Sequence, residues 1–183
     1  MEKDLNYKSD VIEFSSKQIL AGKIIAIAIT VLLCVWYTLV GFGVIAVPFW
    51  KIFLGSLLGA IGLTLLLSGL VQANSVSIWL AFPFLVPAII EFVCVFGIAC
   101  HQVLYPLYIA IPAISSLACI CFSSGKIAHL KIIIFFLLEA LFYVFAILGV
   151  YEIFVSIILS IALFVGAVVY IAIRIFRSSN FDE

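Results

Sequence analysis

The stretch Trp79-Leu80-Ala81-Phe82-Pro83-Phe84-Leu85-Val86-Pro87-Ala88-Ile89-Ile90-Glu91 decides how this chain is read. It opens an apolar run that continues to Cys100. Trp79, Pro83, Pro87 and Glu91 recur at every fourth position, so in a helix they form one slowly drifting stripe. That stripe joins an interfacial anchor, two helix breakers and a carboxylate in an otherwise apolar segment. Each proline removes a backbone hydrogen bond, and a bilayer has no water to replace it. The pattern predicts the inward-facing polar seam of a membrane helix bundle, on a helix broken at its prolines.

The rest of the chain fits that environment. Its 183 residues are 67% hydrophobic and 10% charged, against about 45–50% and about 25% in soluble domains. Apolar runs follow one another with almost no spacer, each long enough to cross ~30 Å of hydrocarbon. Spans are expected at about 24–47, 52–71, 79–100, 103–122, 132–150 and from about 153 to 173. The fold class is thus an all-α integral membrane protein, with six transmembrane helices as three consecutive hairpins. Residues 1–23 form a cytoplasmic tail or surface helix, 24–173 the six-helix domain and 174–183 a second cytoplasmic tail. The first run is too long and too well flanked for a cleavable signal peptide. Net charge is zero, and no basic block points to nucleic acid.

The cations orient the chain. With a cytoplasmic N-terminus, Lys3, Lys8, Lys17, Lys23, Lys126, Lys131, Arg174 and Arg177 fall inside, and Lys51 alone falls outside. The positive-inside rule then places both termini in the cytoplasm. The three outer turns centre near Trp50, His101 and Tyr151, separated by 51 and 50 residues. Two accounts of that spacing stand: an internal triplication, or helices that are merely equal in length.

The second span carries Gly55, Gly59, Gly62 and Gly69 on one side. Small residues so spaced let another helix approach closely, within the chain or in a second copy. Together with the outer turn Val47-Pro48-Phe49-Trp50 and the segments Leu54–Gly62 and Leu67-Ser68-Gly69, this hairpin resembles the HdeD-type acid-resistance membrane protein family. The resemblance implies a stress-related role in a prokaryotic cell membrane and supplies no catalytic residues to transfer. The second hairpin departs from the pattern, with Pro106, Pro112, Cys119 and Cys121 where glycines would stand.

Glu91 and Glu139 are the only charged residues clearly inside spans. Such a carboxylate is expensive at mid-bilayer, so it either serves proton or cation movement or stays protonated and hydrogen-bonds a neighbouring helix. Glu91, Glu139, Pro83 and Pro87 are therefore the candidate polar-seam residues. The five cysteines contain no Cys-x-x-Cys pair, which argues against a disulfide oxidoreductase. His101 at an outer turn and His129 in an inner loop lie on opposite sides, so no shared metal site and no cofactor is expected. A solvated His101 is the plainer reading, an external pH sensor the sharper one. No nucleotide loop, nucleophile elbow or zinc helix is present. The leading expectation is a non-enzymatic membrane protein with a structural, accessory or stress-response role. It would sit in the bilayer as a homo-oligomer or part of a larger complex. The alternative is a small transporter or channel using Glu91 and Glu139 on the proline-broken helix.

Overall fold

The computed structural model describes residues 15–123 and 126–179, and for residues 174–179 the backbone only. It contains six helices and, among the described residues, no strand. They are α1 (Ser16–Gly41), α2 (Phe49–Gln72), α3 (Ser75–Val95), α4 (His101–Cys119), α5 (Lys126–Ile147) and α6 (Ile153–Ser179). All six are long and apolar enough to cross a membrane. At 1.5 Å per residue the shortest, α4, spans about 28 Å.

Elementary helix chemistry sets the ends. The Ser15 amide donates to Gln18 Oε1 at 3.0 Å, one half of a capping box. That cap starts α1 at Ser16 rather than at the expected Ile24, so residues 16–23 belong to the first helix. The expected tails at 1–14 and 180–183 lie outside the described residues. His101-Gln102 and Trp50, read as turn residues, fall in the first turns of α4 and α2. His129, read as a loop residue, lies within α5.

Three turns repeat one design. Gly43, Gly97 and Gly149 follow α1, α3 and α5 with φ of 72°, 70° and 73°. At each, the glycine amide bonds the carbonyl three residues back, at Val40, Cys94 and Ala146. The next amide, from Val44, Ile98 or Val150, reaches five residues back to Leu39, Val93 or Phe145. This is a Schellman stop, and the left-handed conformation it needs favours glycine. The return helices then begin at Phe49, His101 and Ile153, 52 residues apart each time. The three hairpins therefore share their turn chemistry as well as their length.

The helix backbones neighbour one another in chain order: α1 with α2, α2 with α3, and so on to α6. Trp36 on α1 does reach Phe92 on α3, edge-on at 6.5 Å between ring centres. The result is a row open at both ends. The fully buried residues concentrate on α2, α3 and α4.

The prolines do not break α3. It runs as one helix from Ser75 to Val95 through Pro83 and Pro87, and α4 likewise passes Pro106 and Pro112. Proline's fixed φ suits a helix, and its penalty is one lost bond and a displaced carbonyl. A true break in hydrocarbon would strand several backbone groups at once, which is worse.

Candidate functional site

The best-defined polar and close-packed region lies along α3. It begins at a two-residue turn. Ala73 takes φ 51°, ending α2, and the Asn74 side chain accepts the amides of Val76 and Ser77 at 3.0 and 3.4 Å to cap α3. So short a link forces α2 and α3 to run antiparallel and close.

The glycines of α2 take up that closeness against α3. A Cβ built on Gly69 would lie 2.9 Å from the backbone nitrogen of Ile78. On Gly62 it would lie 2.6 Å from Leu85 Cγ and 3.0 Å from the Ala81 carbonyl oxygen. On Gly55 it would lie 3.1 Å from Glu91 Cβ, and on Gly59 3.6 Å from Ala88 Cβ. Gly62 and Gly69 have no room for a methyl, Gly55 is a tight fit against Glu91, and Gly59 has ordinary contact. This face is filled by α3 of the same chain, so it is not open to a second copy.

The other side of α3 meets α4. Trp79 Nε1 donates to Ser116 Oγ at 3.2 Å, and Cys119 Sγ reaches the Ser75 carbonyl at 3.1 Å. Ser115, its neighbour, is fully buried, and its hydroxyl has no hydrogen-bond partner. On the first hairpin, Trp36 Nε1 donates to Ser56 Oγ at 2.9 Å, while that hydroxyl donates to the Ile52 carbonyl at 2.7 Å. On the third, Tyr151 and Ser156 both donate to the Phe142 carbonyl, at 2.7 and 3.0 Å. Each hairpin thus carries side-chain hydrogen bonds between helices or from a turn to a helix.

Glu91 sits four residues before the end of α3, about 6 Å along the axis from it. It is half-buried against Gly55, and Tyr108 of α4 and Cys94 are its electrostatic neighbours. Glu139 lies about 12 Å from the end of α5 and is buried. Neither makes a hydrogen bond or ion pair among the described residues. Neither glutamate borders any of the five best-formed clefts among the described residues. Pro83 and Pro87 stand half-buried on the same helix as Glu91, so the stripe exists, but Glu139 is not part of it.

The histidines lie near the starts of the antiparallel neighbours α4 and α5, and so on opposite faces of the bundle. His101 is exposed beside a cleft of about 400 Å³, whose walls include Gln102, Tyr105 and Tyr143. The two tyrosine rings meet edge-on at 5.5 Å. His129 borders a separate cleft with Ser75 and Trp79, and its Nδ1 is buried without a partner. No group of three or more metal-ligating side chains occurs among the described residues. All five cysteines are free thiols.

The sequence reading missed the Trp36–Ser56 and Trp79–Ser116 pairs. Each joins an indole near a span end to a serine 20 or 37 residues away, and the only local signal was a polar residue in an apolar run. Comparison with protein-family models, curated proteins and solved structures finds no match.

Proposed function

We propose that this chain is a non-enzymatic, six-span membrane protein with a structural or accessory role, whose intramembrane polar residues hold helices together. The observation that carries the reading is the use of those residues. Tryptophan, serine, tyrosine and cysteine groups bond helix to helix or turn to helix, whereas neither glutamate borders any of the five best-formed clefts among the described residues. An unbroken α3 removes the discontinuous helix on which a transport reading leans. A role in acid stress adds to this proposal from the resemblance of the first hairpin alone. Both termini are proposed to be cytoplasmic. In support, Lys17, Lys23, Lys126 and Lys131 lie at the helix ends opposite the glycine turns, and Lys51 is the one described lysine beside those turns.

The test is reconstitution of wild type, Glu91→Gln and Glu91→Leu in liposomes, with proton and cation flux recorded alongside thermal stability. The structural role predicts no flux above protein-free liposomes, a Gln variant like wild type and a less stable Leu variant. Flux that wild type supports and Glu91→Gln abolishes, with the fold intact, would establish the transporter instead.

A further inference from the structure

The chain-order packing of the helices stops at two edges, α1 and α6. We propose that α6 of one copy packs against α1 of a second copy, head to tail, continuing between chains the α2–α3 contact found within one. This inference does not rest on the functional reading above.

The repeat supplies the first argument. Gly62 and Gly166 stand at the same place in α2 and α6, thirteen residues past Phe49 and Ile153. Leu85 and Val31 stand at the same place in α3 and α1, ten residues before Val95 and Gly41. Within the chain, Gly62 is filled by Leu85. At Gly166 a Cβ would meet nothing within 4 Å, and Val31 is 55% exposed. By backbone proximity each helix from α2 to α5 has two neighbours, while α1 and α6 have one each.

Surface shape supplies the second. The face of α1 turned away from α2 carries a groove of about 310 Å³ bordered by Thr30, Val31, Cys34 and Thr38. Both threonine hydroxyls bond their own helix, to the carbonyls of Ala26 and Cys34 at 2.8 Å. The groove therefore presents methyl and thiol surface with its polar groups satisfied, a surface suited to another apolar helix. In the repeat, Gly59 corresponds to Leu163 and Gly55 to Leu159, while Ala88 corresponds to Cys34. Bulk has changed sides. In the α2–α3 pair the return helix is hollow and α3 fills it; in the proposed pair α6 brings leucines to a hollow on α1. A heterologous contact of this kind builds a ring if its rotation closes and an open array if it does not.

The geometry selects the test. A Cβ on Gly59 lies 3.6 Å from Ala88 Cβ, within disulfide range. The corresponding pair between copies is Leu163 and Cys34. In a chain keeping Cys34 and lacking the other native cysteines, Leu163→Cys should cross-link under mild oxidation in native membranes. A ladder of dimers and larger species is expected. Ile161→Cys, on another side of α6, should leave the protein monomeric on the same gel. Co-expression of a Cys34-only copy with a Leu163→Cys, Cys34→Ala copy should yield the mixed dimer. Monomer throughout the ladder experiment would overturn the proposal. So would homodimers from either copy expressed alone, because these would mean that like faces meet.

Discussion

The α2–α3 pair and the α5–α6 pair are both antiparallel neighbours joined by a turn, and they pack very differently. Along α2 and α3, glycines and alanines bring backbones within reach of each other over most of their length. Along α5 and α6 the hydrogen bonds at Phe142, Tyr151 and Ser156 fasten the turn end. Farther along, a wedge of about 650 Å³ opens between Phe135, Phe136 and Phe164, with Lys131 at its rim. Yet α6 is the most hydropathic of the six helices and one of the least buried. Apolar character puts a helix into a bilayer but gives it no reason to leave lipid for another helix. Association needs close approach or hydrogen bonds, and α2–α3 has the first throughout.

The sharpest way to break this comparison is to put bulk where only glycine fits. Gly62→Leu should destabilise the protein by about 1–3 kcal/mol or more, as overpacking does. Gly166→Leu, in open space, should leave the thermal stability of the detergent-solubilised monomer within about 0.5 kcal/mol of wild type. Equal losses at the two sites would erase the distinction between the pairs.

A smaller effect is expected at the next interface, between α3 and α4. Ser116→Ala removes the acceptor for Trp79 and should cost about 0.6 kcal/mol, a common size for such bonds in bilayers. Ser115→Ala, one residue earlier, removes a hydroxyl that has no partner, so it should be neutral or mildly stabilising. A matched pair of melting curves decides it, and a reversed order would mean that Ser115 holds the contact.

The smallest effect belongs to the wedge. Phe164→Ala should shift the midpoint less than Leu85→Ala does. Leu85 is half-buried with its side chain against Gly62, whereas Phe164 is 62% exposed. A larger loss at Phe164 would show that α5 and α6 close over the wedge.

Sequence alone determined that the chain lies in a membrane, that it is helical and that it forms three hairpins. Hydrocarbon permits no other way to satisfy the backbone of apolar runs this long. It also showed the glycine stripe, since spacing is a local property. It did not show which helix would fill that stripe, because an α3 of the same chain and one of a second copy look identical in a linear pattern. Nor did it show that α3 passes its prolines unbroken, which depends on comparing a kinked helix with a severed one in surroundings that only packing defines. The depth of Glu91 along its helix was misjudged for a related reason. The apolar run continues past Val95, and only the Schellman stop at Gly97 reveals that the helix ends there, leaving Glu91 one turn from its end. The Trp79–Ser116 bond and the open edges at α1 and α6 arise from where helices stand relative to one another, and that relation is settled by tertiary structure.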